Sequence, residues 1–359
     1  MSGDTRRWWE LEIVVPVDRW CAVVADVAGP LLRTAAHPSA AISDPLLVRD
    51  VTAHRAPALY VQARAASGDE LADAYGAVLA ASPATAPVAT AVTTASGPVA
   101  AADVAVVRPA RLVPLAGPVF GGAALPAMSR GFLHRVAPAL VELAETGRER
   151  RGSMVEAALA VMAAHLKAQG PSAAPGAEAL ALAGVPLGFV SFRSHAEAFF
   201  ATCRDPAAAR AAMEQRYRDA RPVIDKTVGS VFAAADAGTL QDGPAARWFS
   251  AAAAAHHEFR AAFAAGELTV SAPPDPDQHG NGLAHSRFHQ RAGASTTLQQ
   301  YIQGDPAFLA VRLATSLLYV GLHTAGVALA ERYFLCHIAS RACESLSGTD
   351  AMSILTSLS

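Results

Sequence analysis

In the first third of the chain, segments with a strand pattern alternate with segments that have helical spacing of hydrophobic residues. Apolar residues recur at nearly every second position in "WELEIVVP" (9–16), which predicts a strand. The segment "ALYVQARAA" (58–66) also predicts a strand. Helical spacing follows each strand, at 17–36 and at 69–80, and the first of these helices is expected to break at Gly29-Pro30. This part of the chain therefore predicts a sheet with helices packed on it.

The remaining two thirds of the chain carry mostly helical periodicity. The predicted helical segments are 124–146, 152–168, 195–219, 222–238 and 243–265. Residues 271–282 are rich in Pro, Gly and Asp, which predicts a mobile surface loop. Asp305-Pro306 is typical of a helix start, and two long apolar helices are expected from there to Leu346.

These patterns predict an α+β fold. Its sheet, mixed or antiparallel, comes mainly from the N-terminal third (104–115 is strand-like too), and helices pack on it. Residues 1–359 are expected to form a single domain, since 52% hydrophobic residues in a chain of this length can fill one large core.

Charge and cysteine content narrow the classes of function. The formal net charge is −2 and the pI about 6.6, so no general basic field is available for nucleic acid. The four cysteines form no CxxC pair, which disfavours a disulfide framework and fits a bacterial cytoplasmic setting. The sequence has no glycine-rich phosphate-binding motif that would indicate a nucleotide, so we expect no cofactor.

The most apolar segment, 308–330, contains Arg312 and His323. A charge in the middle of a bilayer is costly, so we expect buried helices and no membrane contact.

One stretch, "HSRFHQRAGASTTLQQYI" (285–302), differs from its alanine-rich surroundings. It holds two His, two Arg, two Ser, two Thr, three Gln and one Tyr, and no carboxylate. His279, His285 and His289 have a spacing that could suit a metal, but too few other ligands lie nearby, so no metal is expected. The stretch instead indicates a hydrogen-bonding surface.

Four motifs, in order along the chain, resemble the lantibiotic dehydratase C-terminal and thiopeptide-type biosynthesis family. The chain begins with the Trp-containing strand and helix "WWELEIVVPVDRW", and "LYVQARA" corresponds to the family strand H-L-R-L-R. "PLAGPVFGG" (114–122) corresponds to P-E-x-x-R-Y-G-G. "CHIASRA", aligned on Arg341, corresponds to H-M-x-x-N-R-L. The resemblance implies the fold of the glutamate-elimination domain of lanthipeptide dehydratases.

The departures from these motifs change the implied reaction. The family glutamate falls at Leu115 or Ala116, the arginine before Tyr-Gly-Gly at Val119, and the first arginine of H-L-R-L-R at Gln62. A glutamyl carboxylate needs a cation and β-elimination needs a base, so these losses oppose glutamate elimination. The thiopeptide pyridine synthases are a branch of this family that keeps the fold and catalyses a different reaction. With these departures the chain resembles that branch.

That resemblance implies a formal [4+2] cycloaddition between two dehydroalanines of an azole-containing peptide. Loss of water and then of the leader peptide would follow and aromatise the ring. The partner implied is a modified precursor peptide, and a homodimer is possible. A split-dehydratase subunit that eliminates glutamate and a non-catalytic subunit that presents the peptide are the alternatives.

Such a cycloaddition needs positioning, hydrogen bonds and mild proton donors. From residue chemistry and position, the candidate catalytic residues are Tyr319, Tyr301, Ser295 and His289. The candidate substrate-binding residues are Ser286, Arg287, Gln299, His337 and Arg341. A compact cation cluster, Arg148, Arg150 and Arg151, is the candidate contact for an acidic leader peptide.

Overall fold

The computed structural model describes residues 5–357 apart from 38, 51–56, 82–90, 95–103, 116–118, 171–181 and 272–285. The chain forms two compact units, each assembled from separate stretches of sequence. The first unit comprises Met1–Pro114, Pro126–Met154 and Tyr319–Val327, and the second comprises Leu115–Leu125, Val155–Leu318 and Ala328–Ser359.

The first unit is built on a five-stranded mixed sheet with the strand order β2-β3-β1-β5-β4. Its strands are β1 (Arg7–Val14), β2 (Ser43–Asp50), β3 (Ala58–Ala65), β4 (Ala91–Thr94) and β5 (Val104–Pro109). Neighbouring strands are antiparallel except β4 and β5, which are parallel. The α+β class and the sheet from the N-terminal third are thus confirmed.

Strand β2 was not predicted from the sequence. It begins with Asp44-Pro45, a turn-like pair, and Asp44 has a positive φ of 51°. The pairing with β3 is irregular between Ser43 and Leu46. The apolar residues that follow form a continuous run instead of alternating, so the usual signal of a half-buried strand is missing.

The helical segment 17–35 packs on one face of this sheet. It consists of a 3-10 turn (Val17–Arg19), α1 (Trp20–Val23), a π-helical turn (Val24–Ala28) and α2 (Gly29–Ala35). The expected break at Gly29-Pro30 does not occur. We attribute this to the wider π turn just before it, which relieves the clash between the proline ring and the preceding turn.

The core of the first unit lies between this segment, the sheet and the helix that follows β3. Leu11 and Ile13 of β1 face their register partners Val61 and Leu59 of β3, and all four are fully buried. At about 2 kcal/mol for each buried aliphatic side chain, such layers dominate the stability of the unit.

The remaining helices are numbered in chain order. They are α3 (Gly68–Ala81), α4 (Leu125–Glu149), α5 (Arg151–Ala168), α6 (Phe189–Thr202), α7 (Pro206–Asp236), α8 (Pro244–Ala264), α9 (Arg287–Ala294), α10 (Thr296–Gly304), α11 (Pro306–Ala325), α12 (Leu329–Ser347) and α13 (Ala351–Ser357). Two short antiparallel strands, β6 (Phe120–Gly121) and β7 (Thr269–Val270), belong to the second unit.

The sequence predicted two helices, at 195–219 and 222–238, and the predicted boundary between them was wrong. The break falls at 203–205, because the Asp205 side chain accepts a hydrogen bond from the Ala208 N–H and Pro206 occupies the first turn of α7. Helix α7 then continues through Pro222, whose surroundings from 218 to 223 are exposed.

The predicted helix start at Asp305-Pro306 is confirmed. The Asp305 carboxylate accepts hydrogen bonds from the backbone N–H groups of Ala307 and Phe308, at 2.8 and 3.1 Å. Among the described residues, α11 is the one helix whose length and composition would suit a membrane span, and 61% of that span is buried in the structure. Such burial is what a core helix shows.

The predicted single domain over 1–359 stays a prediction. Of the loop predicted at 271–282, all but residue 271 lies outside the described residues.

Candidate functional site

The polar stretch folds into two short helices of the second unit, α9 and α10. Ser286 caps α9 by accepting a hydrogen bond from the His289 N–H, and Ser295 caps α10 by accepting one from the Leu298 N–H. Both serines are buried. Capping uses an oxygen lone pair, so each hydroxyl can still donate a hydrogen bond.

The side chains of α10 hold this segment together. Gln299 Nε2 donates to the Ala292 carbonyl at 2.9 Å, which ties α10 to α9. The Tyr301 ring packs edge-on against Phe308, with centroids 5.2 Å apart. The polar stretch is divided at Ser295, which lies between the two helices and caps α10 from outside its helical turns.

The structure pairs His289 with a residue that the sequence did not indicate. His289 Nε2 lies 3.0 Å from the Ser194 hydroxyl, and its Nδ1 is buried with no hydrogen-bond partner among the described residues. Burial lowers the pKa of His289, and the negative charge of Glu197 opposes that shift only in part. The imidazole is therefore neutral at pH 7, and it can accept a proton.

His337 and Arg341 lie on α12 in a network of charges. Arg341 pairs with Glu344 and, through Nε at 3.1 Å, with Glu214. His337 Nε2 lies 3.3 Å from Glu214, but burial and three nearby arginines lower the pKa of His337 to about 3. The histidine is therefore neutral, and its contact with Glu214 is not an ion pair at pH 7.

The three arginines of the predicted leader-peptide contact belong to the first unit. Arg148 pairs with Asp26, and Arg150 Nε donates to Ser153 Oγ at 2.7 Å. Arg151 donates to the Gly326 carbonyl at 3.0 Å. Each side chain thus has a partner within its own unit, and the role in leader binding stays a prediction.

Tyr319 also belongs to the first unit, on its part of α11. It is 8% exposed. A buried phenol is a moderate proton donor, which keeps it among the candidate catalytic residues.

Gln62, where the family resemblance has an arginine, is fully buried in the first unit. Its amide donates to Glu10 Oε2 at 3.1 Å and to the Leu112 carbonyl at 2.8 Å, and accepts from Arg130 Nε at 3.1 Å. Glu10 also accepts from Arg108 Nε at 2.8 Å. These bonds give Gln62 a structural role, because they join β3 to β1 and to the segment that follows β5.

Two of the three histidines whose spacing was considered for a metal, His279 and His285, lie outside the described residues. Within the described part of the chain, no group of three or more His, Cys, Asp or Glu side chains could hold a metal ion.

A cavity of about 610 Å³ opens in the second unit, and its lining includes Arg193 and Phe288, the chain neighbours of Ser194 and His289. Its lining combines four arginines, one glutamate and several apolar side chains. The lining residues are Arg193, Glu197, Ala201, Cys203, Arg204, Pro206, Arg210, Ser286, Arg287, Phe288 and Met352. Two predicted substrate-binding residues, Ser286 and Arg287, are among them.

The sequence analysis missed the other charged members of this lining. Glu197 is 5% exposed and pairs with both Arg193 and Arg210. The i,i+4 spacing of Arg193 and Glu197 on α6 was visible in the sequence. Their neighbourhood with Ser286 and Arg287, about ninety residues further on, was not.

No family model and no curated protein matches the sequence. Solved structures similar to it include TsrL, TbtD and MibB. TsrL has a TM-score of 0.75 and 20% identity, and the match covers 99% of both chains. The pyridine synthase TbtD, from thiomuracin biosynthesis, has a TM-score of 0.58 and 16% identity over 95% of this chain and 99% of its own.

The tRNA-dependent lantibiotic dehydratase MibB, from Microbispora sp. 107891, has a TM-score of 0.48 and 17% identity over 28% of its length. That score is too low to assign a fold. The first two matches span nearly the whole chain, so the protein has the fold of TsrL and of the pyridine synthase TbtD. The family resemblance seen in the sequence is confirmed at the level of the fold.

Proposed function

We propose that the protein is a pyridine synthase of thiopeptide biosynthesis. The observation that supports this most strongly is the fold shared with the pyridine synthase TbtD over 95% of the chain. The substrate would be a leader-bearing peptide that contains azoles and two dehydroalanines. One dehydroalanine, with its amide as the imidic acid, would add to the other to form the six-membered ring.

The Ser194–His289 pair supports the proton transfers of this reaction. Tautomerisation moves a proton from the amide nitrogen to the carbonyl oxygen, and the later loss of water needs a proton on the departing hydroxyl. A neutral imidazole can take the proton from the amide nitrogen and deliver it to the carbonyl oxygen, which completes the tautomerisation. In the loss of water it can take the proton that leaves the ring and pass it to the departing hydroxyl. The contact with Ser194 holds the ring in place, because Nε2 lies 3.0 Å from the hydroxyl.

The other candidate catalytic residues would act as hydrogen-bond donors. In this proposal Tyr301 would stabilise the imidic acid oxygen, and the Ser295 hydroxyl would donate to a reacting amide. Tyr319 stays a candidate proton donor from its residue chemistry alone. Proximity supplies the remainder, since holding two alkenes of one flexible peptide in reacting geometry removes an entropic barrier of several kcal/mol, up to about 7–11 kcal/mol.

The substrate-binding residues would hold the peptide around the reacting groups. Arg287 is exposed, so its guanidinium can reach a peptide carbonyl. Ser286 and Gln299 offer further hydrogen bonds. His337 and Arg341 already share Glu214, so they would contact substrate only by exchanging that carboxylate for it.

Mass spectrometry of the purified protein with a synthetic leader-bearing bis-dehydroalanine peptide tests the proposal. The expected products are a macrocycle that has lost water and a released leader carboxamide. His289→Gln should reduce the rate at least tenfold and Ser194→Ala less, with both variants folded by circular dichroism.

Two other outcomes would replace the proposal. Release of free glutamate from a glutamylated peptide would establish the elimination reaction, which the losses at Gln62 and Val119 oppose. Tight binding of the bis-dehydroalanine peptide without any product would establish the peptide-presenting subunit.

A further inference from the structure

The cavity of the second unit carries more positive than negative charge. Four arginines line it, against one carboxylate, that of Glu197. Glu197 already serves Arg193, at 3.0 Å, and Arg210. Glu344, which is not part of the lining, also lies 3.8 Å from Arg193, so Glu197 and Glu344 together compensate Arg193 and Arg210.

Arg204 and Arg287 have no such compensation. Both are exposed, and neither has an ion-pair partner among the described residues. The neighbouring acid, Asp205, is occupied as the cap of α7, where it accepts from the Ala208 N–H at 2.9 Å. Two guanidinium groups at the cavity thus remain available to an anionic ligand.

Arg193 supplies a further donor. It lines the cavity, and its Nε is buried with no hydrogen-bond acceptor in the part of the chain that the structure describes. A buried N–H without an acceptor is unusual in a folded protein, because its lost hydration is not replaced. An acceptor that enters the cavity would satisfy it.

The rest of the lining is apolar. Phe288 is 5% exposed and Met352 is 36% exposed, and Ala201 and Pro206 add aliphatic surface. A volume of about 610 Å³ lies in the ordinary range for ligand sites. The lining therefore suits a ligand that combines carboxylates with apolar side chains, and a small inorganic anion would leave most of it empty.

We propose that this cavity binds an acidic segment of the peptide substrate, with aspartate or glutamate side chains on Arg204 and Arg287 and an apolar side chain against Phe288. This inference rests on the proposed function, since it takes the ligand to be a peptide. It places an anchor for an acidic leader in the second unit, in addition to the cluster at 148–151.

Fluorescence anisotropy with two rhodamine-labelled peptides tests the inference. One peptide alternates aspartate and leucine, and the other has asparagine in place of aspartate. Wild-type protein should bind the acidic peptide at least tenfold more tightly than the neutral one. The double variant Arg204→Gln/Arg287→Gln should lose at least tenfold in affinity for the acidic peptide and keep its thermal midpoint, because both side chains are exposed.

The matched control is Arg218→Gln/Arg260→Gln. These two arginines are exposed on α7 and α8, lie outside the cavity lining, and give the same change of net charge. Affinity within twofold of wild type is expected for this control. Equal losses in both double variants would assign the binding to general surface charge, and unchanged binding in the cavity variant would overturn the proposal.

The same variants separate this inference from the proposed function. With the full leader-bearing substrate, the cavity variant should show a raised KM. Pyridine formation without acidic-peptide binding would overturn the cavity assignment alone. Arginine-dependent binding without any pyridine formation would overturn the proposed reaction and leave the acidic-peptide site standing.

Discussion

Replacement of His165 tests whether burial inside the second unit keeps this histidine unprotonated. His165 is fully buried on α5. Trp248 Nε1–H donates to its Nδ1 at 3.3 Å, so Nε2 carries the hydrogen and donates to Thr315 Oγ1 at 3.1 Å. Protonation would put a second hydrogen on Nδ1, against the tryptophan N–H, in a fully buried site.

Burial, with a smaller contribution from the nearby His256, lowers the pKa of His165 to about 3. In the unfolded chain the pKa is about 6.5. Between these two values the unfolded state binds a proton that the folded state rejects, so stability is full above pH 6.5 and falls as the pH falls through this window.

The magnitude follows from the size of the shift. One pKa unit corresponds to about 1.36 kcal/mol. With a folded pKa of about 3, His165 alone should reduce the free energy of unfolding by about 2 kcal/mol between pH 7 and pH 5.

Urea denaturation of wild type and His165→Gln at pH 7, 6 and 5 measures this effect. Glutamine can accept from the tryptophan and donate to the threonine, and it does not titrate. His195, His256 and His337 also have lowered pKa values and contribute to both proteins, so the difference between the two curves isolates His165. Parallel curves from pH 7 to pH 5 would refute the reasoning, as would a ring nitrogen that titrates near pH 6.5 by NMR.

Three further substitutions test single contacts, each by urea denaturation at pH 7. Gly122→Ala should cost at least about 2 kcal/mol, because φ is +103° and the new Cβ would lie 2.2 Å from the Glu267 carbonyl oxygen; a smaller loss would contradict that close approach. Glu197→Gln should cost about 3 kcal/mol, because two arginines lose their shared carboxylate, and an unchanged stability would mean that water replaces it. Arg148→Ala should cost at most about 1 kcal/mol, because its pair with Asp26 is exposed to solvent on both sides, and a larger loss would show a packing role for the side chain.

Local patterns predicted much of the secondary structure. The alternation in β1 and the capping pair Asp305-Pro306 each depend on residues a few positions apart. The same kind of signal failed at β2, where an Asp-Pro turn signal precedes a continuous apolar run. It also failed at Gly29-Pro30, where a π turn keeps the helix continuous.

The sequence predicted individual residues of the candidate site, but it did not predict which residues contact them. The sequence indicated His289 as an acid or base, but not Ser194, which contacts it from 95 positions earlier. It indicated Arg287 as an anchor, but not the cavity that places this arginine beside the pair of Arg193 and Glu197.

The sequence by itself determined the class of fold, the polar character of the stretch at 286–304 and the absence of carboxylates from it. Periodicity, caps and composition are properties of neighbouring residues, so they can be recognised without a structure. Only the tertiary structure decided that Gln62 is a buried structural amide and that His165 and His289 are neutral. Hydrogen-bond partners and pKa values depend on burial and on groups brought together from distant parts of the chain, and packing alone sets both.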